Sequence, residues 1–176
     1  MSVINAFTVD LEDWYQGLTS TNRQPERWPA YEARLAENTA RLLALLGEHG
    51  VRATFFVLGP VAEQYPDLVR QIDAAGHELG VHGYWHQRVD HLDPEQFAAE
   101  LNRAVQALSP LASQPVVGHR APYFSIDDHS LWALEVLRER GFRYDSSFFP
   151  TRSMLYGYPG APRFPCRVGD KGELVE

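Results

Sequence analysis

Short apolar runs alternate along this chain with longer stretches in which apolar residues recur every three or four positions. The short runs are bounded by turn-forming residues, which predicts strands at residues 4–10, 52–58, 77–82, 115–119 and 142–145. The longer stretches are typical of amphipathic helices and predict them at residues 30–49, 60–75, 94–108 and 127–140. Asp93 is the expected N-cap of the third helix, with Pro94 at its first position.

Strands that alternate with helices of this length predict an α/β fold, in which parallel strands are joined by right-handed crossovers in an open sheet or a barrel. In both arrangements the functional site lies at the carboxyl ends of the strands. Residues 150–176 are rich in proline and glycine and stop at what reads as the start of another strand. We therefore expect a single domain over residues 1–176 that is incomplete at its C-terminus.

The composition limits the classes of molecule that the protein is expected to bind. With 44% apolar and 22% charged residues, the chain has the composition of a soluble globular domain. The net charge of -7 argues against nucleic acid and anionic membrane partners, and the single cysteine, Cys166, excludes an internal disulfide. No secretory leader or transmembrane run is recognisable, which predicts a cytoplasmic protein. The oligomeric state cannot be inferred from the sequence.

Acidic and histidine side chains follow two of the predicted strands: Asp10, Glu12 and Asp13 the first, His82 and His86 the third. Two histidines at this spacing can reach one ion if the segment turns as a helix does, and one carboxylate would complete an open zinc-type site. Taken alone, the histidines could be surface or capping residues and the acids a solvated turn. However, three acids so close together repel one another unless a cation lies among them.

Two further segments follow the fourth and fifth predicted strands. Arg120, in RAPYF, could hold a carboxylate by a bidentate bond, and a backbone N–H after the proline could face a developing oxyanion. The same segment could equally be only a rigid turn. Asp145, in YDSS, reads either as a site residue or as a helix cap.

In this order, TVDLED, HGYWH, RAPYF and YDSS resemble four motifs of the polysaccharide deacetylase family, carbohydrate esterase family 4. The resemblance covers nearly the whole chain and is greatest to the branch linked to exopolysaccharide production and to peptidoglycan deacetylases that lack a secretion signal. It implies a distorted (β/α) barrel. It also implies a metal-dependent hydrolase, most simply a zinc enzyme, that removes N-acetyl groups from N-acetylhexosamine units of a polysaccharide.

The resemblance assigns roles to five residues. It implies that Asp10 is the general base, that Arg120 orients Asp10, and that the backbone N–H of Tyr123 contributes to the oxyanion hole. His82 and His86 become metal ligands.

The first motif departs from the family pattern, which has two adjacent aspartates where this chain reads DLED. Alternate residues of a strand point the same way, so Glu12 is expected to face the metal together with Asp10, and Asp13 is the alternative if the backbone turns there. Residues close to the motifs are expected to contact the sugar, the aromatic ones by stacking: Trp14, Tyr15, Trp85, Phe124 and Asp145.

A second departure concerns the general acid, which the family takes from a histidine in a fifth motif near the C-terminus. No histidine follows His129 in this chain. We therefore expect the acid to lie beyond residue 176 and the isolated chain to be weakly active or inactive. Two other functions stay open: hydrolysis of cyclic amides on the same fold, and carbohydrate binding by a decayed site.

Overall fold

A mixed sheet forms the centre of the protein. The computed structural model describes residues 5–17, 24–153, 156–168 and 174–176. Within these residues, seven strands pair in the order β1-β2-β3-β4-β5-β7-β6, and all neighbouring strands are parallel except β6 and β7. The strands are β1 (Thr8–Leu11), β2 (Thr54–Val57), β3 (Glu78–Val81), β4 (Gly118–His119), β5 (Tyr144–Asp145), β6 (Arg167–Val168) and β7 (Leu174–Val175).

Helices connect the parallel strands, as the alternating pattern predicts. They are α1 (Leu35–Glu48), α2 (Gly59–Gln64), α3 (Pro66–Ala74), α4 (Pro94–Leu108) and α5 (Trp132–Glu139). The predicted cap of α4 is confirmed: the Asp93 carboxylate accepts from the Gln96 amide, and the Gln96 side chain accepts from the Asp93 amide. This reciprocal pair satisfies two donors that a helix start leaves without partners.

Burial explains why the strands read as continuous apolar runs. Phe55 and Phe56 of β2 and Val81 of β3 have no exposed surface, although Phe55 and Phe56 point to opposite faces of the sheet. Each such side chain contributes roughly 1.5–3 kcal/mol through the apolar area that it removes from water. The helices complete the core with buried stripes, among them Val69 and Ile72 of α3.

The structure corrects several predicted boundaries. The helix predicted over residues 60–75 is two helices, because Pro66 excludes Tyr65 from helical conformation. The helix predicted over residues 30–49 begins only at Leu35, and the one over residues 127–140 begins only at Trp132, after a hydrogen-bonded turn between Asp127 and Ser130. The first strand covers Thr8–Leu11, and residue 4 of its predicted range lies outside the described residues.

The α/β class and the incomplete barrel are confirmed. Over the described ranges the sheet is not closed, because β1 and β6 each have only one neighbouring strand. The carboxyl ends of β1, β3, β4 and β5 lie at one edge of this sheet. Among the helices of these ranges, none combines the length and the apolar character that a membrane span requires.

Candidate metal centre

Three side chains from two strand ends converge on one point. Glu12 follows β1, and His82 and His86 follow β3, and one donor atom from each of the three lies within 4.8 Å of the others. The His86 Nε2 atom lies 2.7 Å from the Glu12 Oε2 atom, and the His82 Nε2 atom lies 4.0 Å from the same oxygen. Both imidazoles are buried. Two nitrogens and one oxygen are the donor set of an open zinc site.

His82 is held in the tautomer that a metal ligand needs. Its Nδ1 atom lies 2.8 Å from the backbone carbonyl oxygen of Arg120. Because a carbonyl only accepts, Nδ1 carries the proton and Nε2 presents its lone pair to the cluster. Burial lowers the pKa of His82 to about 4, so the ring is neutral at pH 7.

The segment between the two histidines is not helical, which corrects the turn geometry expected for HGYWH. Residues 82–86, here called the histidine loop, contain Gly83 at φ +75° and His86 at φ +56°. Both lie in the left-handed region, which is strained for a residue with a side chain. The loop therefore brings the two imidazoles together through left-handed backbone conformations at Gly83 and His86 and not through a helical turn.

Glu12 supplies the strongest sign that the cluster fits a cation. Its Oε2 atom is buried and receives no hydrogen bond of regular geometry from the described part of the chain. A buried carboxylate oxygen that lies 2.7 Å from one imidazole nitrogen and 4.0 Å from another, with no regular hydrogen bond, is costly. A divalent cation held among the three groups would remove that cost. The residues at this position thus fit a metal ion.

A carboxylate paired with an arginine lies beside the cluster. Asp10 Oδ1 accepts a hydrogen bond from Arg120 at 2.9 Å, and Asp10 Oδ2 lies 3.8 Å from His82 Nε2. The structure therefore brings Asp10 to the position that the sequence predicted for it, next to the histidines and in contact with Arg120. A carboxylate held in this way keeps one oxygen directed at the cluster.

Arg120 is fixed on several sides. The Nη1 atom that contacts Asp10 also donates to Thr8 Oγ1 at 2.9 Å. Nε donates to the backbone oxygen of Ser146 at 3.0 Å, and Nη2 donates to the Ser146 hydroxyl at 2.8 Å. Its guanidinium stacks 4.4 Å above the Phe56 ring. The side chain therefore has one orientation, and that orientation sets where Asp10 points.

Asp13 lies outside the cluster, so the geometry favours Glu12 over Asp13 as the ligand from the first motif. Its carboxylate is buried and accepts from the backbone amides of Trp14 at 2.8 Å, Arg34 at 2.7 Å and Leu35 at 3.0 Å. These last two amides open α1, so Asp13 caps that helix from a distant part of the sequence. The contacts satisfy orphan donors of the helix start and engage both carboxylate oxygens of Asp13.

Two residues predicted to contact substrate are enclosed in the protein. Tyr15 is 2% exposed and stacks against Tyr31. Asp145 is also 2% exposed, and its Oδ1 atom lies 2.7 Å from His119 Nδ1 and 2.7 Å from Ser147 Oγ. Neither side chain can reach a saccharide in this arrangement. Both side chains are therefore packed inside the protein, and a direct sugar contact is not supported for either.

The other predicted contact residues lie nearer the surface. Trp14 is 46% exposed, and Trp85 and Phe124 are partly exposed. The Tyr123 ring lies 4.5 Å from the His86 ring, and Tyr123 has φ +60°, which turns the backbone sharply after Pro122. Tyr123 is therefore next to the cluster, whereas a sugar contact by the other three stays a prediction.

The sequence did not predict a role for several residues that contact the site residues. Ser146 holds Arg120, and Glu100 on α4 accepts from the amides of Tyr84 and Trp85 in the histidine loop. His119 is fully buried, burial lowers its pKa to about 3, and it bonds to Asp145. The only available signal was position: Ser146 lies within YDSS, and His119 directly precedes RAPYF.

Comparison with known proteins identifies relatives of this architecture. A family profile described as polysaccharide deacetylase matches residues 25–144. A peptidoglycan-N-acetylglucosamine deacetylase of Bacillus cereus is 34% identical over 56% of this chain and 36% of its own length. A chitooligosaccharide deacetylase of Sinorhizobium fredii is 39% identical over 56% of this chain and 44% of its own length.

Comparison with solved structures finds the same class of protein as the sequence comparison. A Mycobacterium smegmatis protein assigned as a polysaccharide deacetylase has a TM-score of 0.74 at 30% identity, over 97% of this chain and 56% of that chain. A family 4 carbohydrate esterase of Streptomyces lividans, solved with acetate, has a TM-score of 0.54 at 31% identity, over 61% of this chain and 54% of its own. The chain thus spans roughly a third to a half of the relatives that it matches.

Proposed function

This chain belongs to the polysaccharide deacetylase family, and we propose that the protein is a metal-dependent hydrolase that removes N-acetyl groups from N-acetylhexosamine units of a polysaccharide. One observation carries the proposal: the cluster of Glu12, His82 and His86 lies directly beside the pair formed by Asp10 and Arg120. A metal site and a positioned carboxylate are the two parts that hydrolysis of an amide needs.

Glu12, His82 and His86 would hold the ion, and zinc is the ion that we propose, because two imidazoles and one carboxylate suit it. When bound, the ion would polarise the acetamide carbonyl and lower the pKa of a coordinated water molecule. The hydrogen bond from His82 Nδ1 to the Arg120 carbonyl keeps the opposite nitrogen available as a ligand. The low pKa of His82 keeps that nitrogen unprotonated at neutral pH.

Asp10 is proposed as the general base. Its Oδ2 atom faces the cluster, where it can accept a proton from the attacking water, while Oδ1 is held by Arg120. The backbone amide of Tyr123 is proposed to stabilise the oxyanion, in support of which the Tyr123 ring lies against His86. His119 is not proposed as the general acid, because its ring is enclosed and bonded to Asp145. None of the described residues is assigned that role.

The proposed substrate class is an N-acetylated polymer such as an exopolysaccharide or a peptidoglycan-like glycan. Relatives named as peptidoglycan and chitooligosaccharide deacetylases support this choice. Trp14, Trp85 and Phe124 would stack on sugar rings around the cluster, since aromatic faces bind the apolar faces of sugars. The acidic net charge of -7 is compatible with a neutral or cationic glycan.

Acetate release tests the proposal. The zinc-loaded protein, in its full natural length, would be incubated with N-acetylglucosamine oligomers, peptidoglycan and, as a cyclic amide, allantoin. We expect acetate from a glycan, no ring opening of allantoin, and loss of both bound zinc and activity in His82→Ala. His129→Ala is the matched control, because His129 is exposed in the turn before α5. A His82→Ala variant that keeps full activity, or a protein active only on allantoin, would refute the proposal.

A further inference from the structure

The histidine loop is held from behind by a carboxylate that lies outside the candidate site. Glu100 lies on α4, and its Oε2 atom accepts hydrogen bonds from the backbone amides of Tyr84 at 3.3 Å and Trp85 at 2.9 Å. These two residues lie between His82 and His86 in the chain. One oxygen atom therefore fixes the two central peptides of the loop that carries both histidines.

The Tyr84 side chain is locked at the same place. Its ring is 1% exposed, its hydroxyl donates to Glu63 at 2.8 Å, and the guanidinium of Arg103 lies 3.7 Å from its centroid. A Cβ atom added at Gly59 would lie 2.0 Å from this ring, so the ring packs directly on the backbone at the start of α2. Arg103 follows Glu100 by three positions, and α4 thus contacts the loop through two side chains.

The conformation of the loop explains why it needs this support. Gly83 and His86 have positive φ angles, and a residue with a side chain is strained in that region. Such a conformation persists only when neighbouring groups hold it in place. The bonds to Glu100 tie the backbone in the middle of the loop to α4, beside the side-chain contacts that Tyr84 makes with Glu63 and Arg103.

We propose that Glu100 is a positioning residue of the metal site, which sets the affinity for the ion by fixing the histidine loop in the conformation that brings the two imidazoles together. The proposal rests on the metal centre described above. Glu100 does not touch the ion, the substrate or the reacting atoms. Its effect is transmitted through the amides of Tyr84 and Trp85, as for groups that orient ligands from outside the coordination sphere.

Metal affinity is the direct test, because it needs no substrate. The dissociation constant for zinc would be measured by competition with a chromophoric chelator in Glu100→Ala, Glu100→Gln and Glu95→Gln. Glu95 is the matched control, since it is an exposed glutamate on the same helix. We expect weakening by about 10- to 100-fold in Glu100→Ala, a smaller loss in Glu100→Gln, whose amide oxygen still accepts, and no change in Glu95→Gln.

Substitution with cobalt separates positioning from loss of the fold. If Glu100 positions the ligands, the visible absorption bands of the Co²⁺ protein shift in Glu100→Gln while its thermal unfolding stays close to that of the wild type. Equal zinc affinities and equal cobalt spectra in Glu100→Gln, Glu95→Gln and wild type would overturn the inference. If the wild type and His82→Ala bind zinc equally weakly, the metal centre itself is wrong, and the inference fails with it.

Discussion

The Nδ1 atom of His82 lies 2.8 Å from the backbone carbonyl oxygen of Arg120. Arg120 therefore contacts both the proposed metal ligand His82 and the proposed base Asp10. The carbonyl of Arg120 fixes the His82 tautomer, and its guanidinium fixes Asp10. Both contacts come from the end of β4. A displacement of this strand end would therefore disturb the metal ligand and the base together.

The roles of Glu12 and Asp13 can be separated experimentally. We expect Glu12→Gln to weaken zinc binding by more than about tenfold with little change in stability, because its buried Oε2 atom belongs to the cluster. We expect Asp13→Ala to keep zinc affinity but to lower the free energy of unfolding by about 1–2 kcal/mol, because Asp13 caps α1. Chelator competition and denaturant unfolding measure the two effects. The reverse pattern would restore Asp13 as the ligand.

The contact between Ser146 and Arg120 predicts a change in kcat. We expect Ser146→Ala to lower kcat for acetate release about tenfold with KM nearly unchanged, because Arg120 loses one of the bonds that aim Asp10. Ser146→Thr should restore most of the activity, since it keeps a hydroxyl. Steady-state kinetics on one defined oligosaccharide would provide both parameters.

Two further variants calibrate this result. Arg120→Lys should be more damaging than Ser146→Ala, because one ammonium cannot bond Asp10, Thr8 and Ser146 in the geometry of a guanidinium. Ser113→Ala is the matched control, since the Ser113 hydroxyl bonds to Asp73 at an exposed position. A kcat for Ser146→Ala equal to that of Ser113→Ala would show that the contact does not position the base.

The pH dependence of stability follows from a buried carboxyl pair. Burial, together with the nearby charge of Asp145, raises the pKa of Glu176 to about 10, so the folded protein keeps a proton that the unfolded chain releases above about pH 4.3. Protonated Glu176 therefore contributes fully to the stability of the fold below the pKa that Glu176 has in the unfolded chain. This contribution is lost as the pH rises towards the pKa of Glu176 in the folded protein. Glu176→Gln cannot release a proton, so this variant escapes the loss.

Thermal unfolding at several pH values checks this expectation. Between pH 6 and pH 9, the Tm of Glu176→Gln should rise relative to that of the wild type by about 3 °C or more, which corresponds to roughly 1 kcal/mol for a chain of this size. His119, whose burial lowers its pKa and costs stability as the medium becomes acidic, is present in both proteins, so its opposite effect cancels in the difference between their Tm values. Parallel Tm profiles for the two proteins would contradict the buried pair as the cause.

Much of the fold was predictable because local patterns agree with tertiary packing. The core strands are apolar runs because both faces of the sheet are covered, and α4 carries both its cap and its periodic stripe in the sequence. The split at Tyr65 was signalled by Pro66, but the apolar periodicity continues across it and masked the break. Closure of the sheet depends on long-range pairing, which periodicity does not encode.

The sequence predicted those residues of the candidate site that closely follow a strand. Asp10, Glu12, His82, His86 and Arg120 meet as expected, because carboxyl ends of parallel strands share one edge. The burial of Tyr15 and Asp145 was not foreseen, since whether a side chain after a strand faces solvent depends on neighbours from other segments. Glu100 was hidden for the same reason: on α4 it reads as an ordinary helix-surface acid.

Leu11 separates Asp10 from Glu12 and is 2% exposed, packed into the core while both acidic neighbours face the imidazoles. A hydrophobic side chain thus acts as the spacer that sets how far apart two polar groups lie. A substitution at Leu11 would lower catalytic activity, although its direct effect is on core packing. Loss of Leu11 would place Asp13, in the position of Glu12, two residues after Asp10, so this segment should tolerate substitution better than any change in length.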